Sequence, residues 1–327
     1  GISACLVRSS CGMLKRAMAG LTPQQLWHFD TFGYFIVRGA LSSAEVAQFN
    51  AAIDANLGDF HERKDALRNS KRPAFAGDGS TGRLDCGKML NWQSPHSDPF
   101  RRLLAHPKLV PILTSLVGDG FRLDHAPLCF MQKKGAEGFD LHGGACKADG
   151  SWYEELAYDF RNGRAYCRLL AMSLALTPTT DPKDGGFIVM PGSHKSNLPL
   201  PEDIAACTGE AAGLLHRPVV DAGDVLFFTE AATHGTAAWT RDEDRRVVLY
   251  RYAPGTIAYG RAYQDWSTKD LEGFTDAEKA VLLPPWHNRL DRPIVSSDGE
   301  ALSTSVKYKR AEDKKQFDKD TYGTEFF

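Results

Sequence analysis

The chain has 327 residues, with 39 basic against 41 acidic side chains and a net charge of −2. That length supplies a core large enough to fold without disulfides or a structural metal, and the charge balance excludes both a basic nucleic-acid footprint and an acidic solvating tail. Seven scattered cysteines without a Cys-x-x-Cys exclude a disulfide framework and a cysteine zinc site, which implies a reducing intracellular compartment, and no apolar run reaches the length of a membrane span.

Residues 1–20 hold Arg8, Lys15 and Arg16 and no acid, and they open on Gly rather than Met. They read as a disordered arm or as the remnant of an organelle presequence, which would place the protein in an organelle rather than the cytoplasm. Residues 22–31 carry a helix start: Thr22 as cap, Pro23 in the first turn, Gln25 three residues after the cap. Residues 33–38 read as a strand. Residues 42–57 repeat the cap-and-acid signal, with Val46, Phe49, Ile53 and Leu57 at helical spacing. The polar, Gly-rich stretch 58–97 reads as a long loop or lid, and 99–117 as a helix broken at Pro107 and Pro111.

From residue 121 the pattern changes to short β-rich runs at 121–132, 165–177, 186–190, 218–220, 224–229 and 246–253, separated by Gly, Pro and Asp clusters. Strands at this spacing predict a sandwich or jelly-roll barrel. Residues 256–327 read as a wrap over the barrel, ending in a solvated face where Lys309, Arg310, Lys314 and Lys315 alternate with Glu312, Asp313 and Asp318. With no internal repeat or linker, 21–327 is expected to be one domain with its barrel core at about 121–255.

Three segments carry candidate chemistry: Leu141-His142-Gly143-Gly144, then Gly185-Gly186 running to Pro191-Gly192-Ser193-His194-Lys195, then Gly223-Asp224 leading to His234-Gly235, with Arg245 eleven residues beyond His234. This order resembles the phytanoyl-CoA dioxygenase family of non-haem Fe(II)/2-oxoglutarate-dependent oxygenases, whose opening helix–strand–helix is also similar to residues 29–46. The resemblance covers roughly residues 25–255. It implies a mainly β fold with flanking helices, a double-stranded β-helix of the jelly-roll, cupin-like kind. It implies Fe(II) held by His142 and His234, 2-oxoglutarate as co-substrate, and Arg245 on its far carboxylate. The residue types suit those tasks. Two imidazoles and a carboxylate hold iron on one face and leave the others open, and a guanidinium grips a carboxylate with two parallel hydrogen bonds while staying charged. Arg246 is the alternative on the opposite strand face, and Lys133 is a further candidate for 2-oxoglutarate contact. The Pro-Gly-Ser-His turn reads as structural, so His194 stays outside the metal set.

One residue departs from the family pattern. Where an Asp or Glu should stand two residues after the first histidine, this chain has Gly144. Glu230, four residues before His234, is the candidate replacement, with Asp124 and Asp149 behind it, although Glu230 reads first as a partner that orients His234 through its second ring nitrogen. Alternatively the position stays open and takes chloride, as in the non-haem iron halogenases that this Gly resembles, or metal binding is weak and the barrel serves as a binding module. The expected reaction is hydroxylation of an unactivated C–H bond of a small organic substrate, with release of succinate and CO2. Trp92, Trp152, Tyr153 and Tyr158, from the 58–97 and 145–164 segments, are candidates for the pocket mouth. The sequence leaves the substrate and the oligomeric state open.

Overall fold

The computed structural model describes residues 20–261, 263, 266, 269–286, 292–296, 301–304 and 311–324; the arm at 1–19, Lys309 and Arg310 lie outside them. Its strands are β1 (Tyr34–Val37), β2 (His61–Glu62), β3 (Leu84–Cys86), β4 (Arg122–Leu123), β5 (Leu128–Gln132), β6 (Phe139–His142), β7 (Tyr158–Arg161), β8 (Arg164–Cys167), β9 (Leu170–Ala175), β10 (Gly186–Val189), β11 (Val225–Thr229), β12 (His234–Ala237), β13 (Arg245–Ala253), β14 (Arg292–Val295) and β15 (Ala301–Thr304). The helices are α1 (Pro23–Phe32), α2 (Ser43–Ala55), α3 (Asp98–Leu104), α4 (Val110–Leu116), α5 (Glu202–Ala205), α6 (Asp276–Leu282) and α7 (Glu312–Tyr322).

Both N-terminal helices begin as their sequences dictate. Thr22 and Gln25 close a reciprocal capping box on α1, and Ser42 and Glu45 close another on α2, each satisfying backbone N–H groups that the first turn leaves unpaired. The break expected at Pro107 falls between α3 and α4, in residues 105–109, whereas Pro111 breaks nothing: it sits in the first turn of α4, where no backbone N–H is needed.

A large antiparallel sheet runs in the order β1-β11-β9-β13-β5-β3-β2, with β4 also paired to β13. A smaller sheet, β10-β12-β6, faces it. This is the expected jelly-roll arrangement, with two additions. β1 docks on β11 with Tyr34 opposite Phe228, so the N-terminal strand belongs to the barrel wall. The 58–97 segment is not simply a loop: β3 pairs with β5, Asp85 opposite Phe130, and β2 extends that edge. Strands of two or three residues are too short to show a period of two. The run 121–132 divides into β4 and β5, and 165–177 into β8 and β9. Residues 218–220 supply only an isolated bridge, Val220 to Thr179.

Strand alternation sorts side chains to two environments. Along β13, Val248, Tyr250 and Tyr252 join Phe29, Phe49, Ile53, Phe100, Leu113 and Phe227 in the core between the large sheet and the helices. Arg245, Leu249 and Arg251 point the other way, into a cavity between the two sheets. Full burial of each large apolar side chain in that core contributes on the order of 1.5–3 kcal/mol. Two tyrosine hydroxyls tie the helices to the sheet: Tyr250 donates to Phe100 O at 2.7 Å and Tyr252 to Leu104 O at 3.5 Å.

Tyr250→Phe removes the shorter of these bonds, while Phe100 O keeps its intrahelical acceptor role in α3. The variant should lose about 1 kcal/mol of unfolding free energy in urea titration, with no change in ligand affinity, because the hydroxyl faces away from the cavity.

Candidate metal centre

β6 and β12 place His142 directly opposite His234, with the ring centroids 4.3 Å apart. Each ring is fixed in the same way. His142 Nδ1 lies 2.9 Å from Asp140 O, and His234 Nδ1 lies 2.8 Å from Ala232 O. A carbonyl can only accept, so both Nδ1 atoms carry the proton and both Nε2 atoms present lone pairs, the form that ligates a metal. The chain must turn sharply after His142. Gly143 has φ +110°, and a Cβ there would fall 2.4 Å from Ala232 O, so only glycine lets β6 end against the neighbouring backbone.

Glu230 completes the cluster. One ligand atom each from His142, Glu230 and His234 lie within 4.8 Å of one another. Glu230 Oε2 is 3.6 Å from His234 Nε2, while Oε1 accepts from Arg251 Nε at 2.5 Å. Orienting His234 through its second nitrogen is therefore not the role of Glu230; Ala232 O does that, and the carboxylate faces the Nε2 side. At Gly144 (φ +83°) a Cβ would meet only Ala231 O, at 3.9 Å. The position usual for the carboxylate is open space. Asp124 is buried against Arg122 at 3.0 Å, and Asp149 caps Ser151 in an exposed turn; neither belongs to the cluster.

Burial, with repulsion from His142, pushes His234 down to about 4, and burial lowers His142 as well. Burial alone would raise Glu230, but the Arg251 guanidinium and the two imidazoles more than offset it and hold the carboxyl at about 2. The unloaded centre is thus two neutral imidazoles and one ionised carboxylate at neutral pH.

The cavity beside this cluster measures about 180 Å³ and is walled by Leu128, Phe130, Phe187, Phe228 and Leu249. Arg245 enters it from β13, buried, its Nη1 donating to Gln132 Oε1 at 2.7 Å. Among the described residues it has no carboxylate partner, and burial with Arg83 nearby lowers it to about 9. An uncompensated buried guanidinium is costly, so an anion belongs against it.

The phytanoyl-CoA dioxygenase (PhyH) family model matches residues 29–247. The chain belongs to that family. The ectoine dioxygenase of Stutzerimonas stutzeri (strain A1501) is 25% identical over 181 residues, 54% of this chain, and the chain spans about half of that relative's length, 52%. HygX from Streptomyces hygroscopicus, solved with nickel, 2-oxoglutarate and hygromycin B bound, superposes with a TM-score of 0.60 at 25% identity, covering 77% of this chain and 95% of HygX. EctD from S. alaskensis shares the fold at a TM-score of 0.52 and 20% identity, covering 75% of this chain and 84% of its own.

The other motifs shared with the PhyH family brace the centre. Asp224 accepts from Arg38 Nη1 at 2.7 Å and from Gly39 N at 2.8 Å, fastening β1 to the start of β11. Ser193 Oγ accepts from Thr233 N at 2.7 Å, so the Pro-Gly-Ser-His turn sets the residue before His234. His194 donates through Nε2 to Asp30 O at 3.0 Å and stays outside the cluster.

Two residues expected to touch 2-oxoglutarate do not reach the cavity. Arg246, of opposite parity on β13, crosses to α2 and pairs with Asp54 at 2.7 Å and Asn50 at 3.2 Å. Lys133 follows the last residue of β5 and is exposed to solvent. None of the four loop aromatics lines the cavity: Trp92 is buried against Phe100 and donates to Asp59, Tyr158 donates to Asp30, and Trp152 and Tyr153 are exposed. The sequence reading passed over Arg251, Gln132 and Arg83. Arg251 was accessible to parity, lying an even number of positions from Arg245; Arg83 was not, because β3 went unrecognised.

The depressed histidine implies a pH window. His234 holds its proton less readily in the fold than at its unfolded value of 6.5, so its contribution is complete above that value and is lost as pH falls toward about 4. Glu230, lowered from 4.5 to about 2, adds a second loss below that range. Metal-free protein should lose stability in urea titrations between pH 6.5 and 4, and His234→Asn should flatten that slope. An unchanged slope in the variant would mean that other groups govern acid unfolding.

Proposed function

We propose that this chain is an Fe(II)/2-oxoglutarate-dependent oxygenase whose third metal ligand is Glu230, standing in for the carboxylate that Gly144 omits. The observation that carries this reading is the convergence of two imidazole Nε2 lone pairs and one ionised carboxylate oxygen on a cavity that also holds the buried guanidinium of Arg245, which has no carboxylate partner among the described residues. Two nitrogens and an oxygen are the donor set of a one-face non-haem iron site. HygX, with nickel and 2-oxoglutarate bound, is a relative in which such a pair of ligands shares one barrel.

Bound there with O2, iron and 2-oxoglutarate supply the oxidative decarboxylation to succinate and CO2 and the oxidation of a substrate C–H bond. The chain's own residues do the rest. His142 and His234 hold the metal through Nε2, each ring locked by its Nδ1 hydrogen bond. Glu230 adds negative charge through Oε2, with Arg251 fixing its other oxygen. Arg245 takes the far carboxylate of 2-oxoglutarate, in a fork already aimed by Gln132. Phe130, Phe187, Phe228 and Leu249 keep water from the reacting centre. A cavity of about 180 Å³ leaves limited room beside the co-substrate, so the primary substrate is a small organic molecule presented from the mouth. Chloride at the open Gly144 position is the second reading. It is disfavoured because a halide would share the site with an anionic Glu230 oxygen already turned toward the imidazoles.

Anaerobic calorimetric titration tests this. His142→Ala or His234→Ala should abolish Fe(II) binding, and Glu230→Gln should weaken it by about tenfold or more. Gly144→Asp should bring no gain, because the coordination position is filled and φ +83° strains a side chain. Tighter iron binding by Gly144→Asp with no loss in Glu230→Gln would return the site to the open, halide-accepting form.

Arg245→Ala should raise the 2-oxoglutarate dissociation constant by about tenfold or more, the loss of a charge-assisted contact, while metal binding without 2-oxoglutarate stays unchanged. Arg246→Ala should leave both unchanged, since its guanidinium is engaged with α2.

A further inference from the structure

Four arginines line the cavity: Arg63, Arg83, Arg245 and Arg251. Two carboxylates answer them. Glu230 takes Arg251. Asp85 serves two guanidiniums at once, receiving Arg63 Nε at 3.0 Å on Oδ2 and Arg83 Nε and Nη2 at 2.7 and 3.0 Å. With the neighbouring Arg68–Glu137 ion pair, whose carboxylate also accepts from Arg83 N, five positive groups stand against three negative ones. A divalent metal and the 2-oxoglutarate dianion cancel each other, so loading the centre leaves the excess in place. Burial also works against the charge on Arg83, which makes an uncompensated cation there more costly still.

One excess charge is that of Arg245; the other lies with Arg63 and Arg83, which share a single carboxylate. Arg63 immediately follows β2 and Arg83 immediately precedes β3, and both reach Asp85, with Arg63 N donating to Arg83 O at 3.0 Å. Among the described residues, both Nη groups of Arg63 and Nη1 of Arg83 make no hydrogen bond within the chain. Neither guanidinium is wholly sealed: the side chains are 12% and 6% exposed. Arg63 lies over Phe139, 5.1 Å from its centroid; Arg83 is 6.0 Å from the same ring and nearer, at 4.5 Å, to the buried ring of Phe130. Phe139 is 38% exposed, and its ring meets the ring of His142 edge-on at 4.8 Å. A fixed pair of guanidiniums, an exposed aromatic face and a metal-ligand imidazole therefore follow one another along a single wall.

We infer that the primary substrate carries an oxyanion, a carboxylate or a phosphate, which docks on Arg63 and Arg83 while its carbon skeleton crosses Phe139 toward the metal. This rests on the oxygenase reading above and adds the substrate class. Paired guanidiniums suit either oxyanion, since both offer several acceptor oxygens to planar donors. Arg83 and Arg245 share the Phe130 ring, at 4.5 and 5.1 Å from its centroid, so Arg63, which follows β2, is the partner that sets the substrate acid apart from the co-substrate acid. Arg63 and Arg83 are specificity residues; nothing places them at the reacting atoms.

The test uses protein loaded with Mn(II) and 2-oxoglutarate without O2, titrated calorimetrically with 4-phenylbutyrate, 4-phenylbutyl phosphate and neutral 4-phenylbutanol. At least one anion should bind about tenfold tighter than the alcohol, and the stronger of the two identifies which acid the site takes. Arg63→Gln should remove that preference, and Arg63→Lys should keep most of it. Both variants should match wild type in thermal unfolding and in 2-oxoglutarate affinity. Equal binding of acids and alcohol, absence of binding by any probe, or an anion preference that survives Arg63→Gln, overturns the proposal. So does a parallel loss of 2-oxoglutarate affinity in Arg63→Gln, which would assign the pair to the co-substrate. Failure of the wild type to bind Mn(II) and 2-oxoglutarate would instead sink the oxygenase reading; the same anion titrations on metal-free protein then still decide whether Arg63 selects an acid.

Discussion

A carboxylate inside a protein stays ionised only if something holds its charge, and at Glu230 that is Arg251. The pair is separated by 2.5 Å and sits between two imidazoles that burial keeps neutral. Without the guanidinium, desolvation would favour the protonated acid, and a neutral acid is a poor metal ligand. The site therefore depends on an ion pair that no linear motif records, formed between the turn ahead of β12 and the far half of β13. Breaking one side of such a pair is costly because the other charge is left buried alone.

β13 gathers the consequences. It is the most thoroughly paired strand of the large sheet, with β9 along one side and β5 and β4 along the other. Its inward residues include Arg245, which reaches Gln132, and Arg251, which pairs with Glu230. Its outward residues are the valine and tyrosines that seat the helices. A shift of one position would send both arginines into the apolar core and the tyrosines into the cavity. The register is thus held by two penalties of opposite kind, charge burial on one face and lost apolar packing on the other. Fold and site are specified by the same nine residues, which is why the helices, though remote from the metal, bear on its geometry.

Much of this was legible before any coordinates. The caps at Thr22 and Ser42, the switch from helical spacing to short strands near residue 121, and the order of His142, His234 and Arg245 are local patterns, and local patterns survive in sequence. Parity on a well-formed strand separated Arg245 from Arg246, although both were kept as candidates. What stayed hidden was non-local. Glu230 gave no sign of which face it presents, because that depends on Arg251 arriving from another strand. β2 and β3 were too short for alternation to register, so Arg83 and Arg63 were assigned to a loop. Trp92 was placed at the mouth on the strength of that same loop reading, whereas its ring is part of the helix-side core.

The two sets of arginines also differ in how firmly the backbone holds them. Arg245 and Arg251 stand on a strand bonded on both flanks, which opens only when the sheet itself does. Arg63 and Arg83 stand at the rim, where β2 is two residues long and held by β3 alone. Local opening of such an edge costs far less than global unfolding, and exchanging residues there disturbs no other strand. Under the proposed roles, substitutions at the margin of the sheet could change the choice of molecule while β13 and the groups it positions stay fixed. New specificities would then arise without the protein having to reinvent, or risk, its metal.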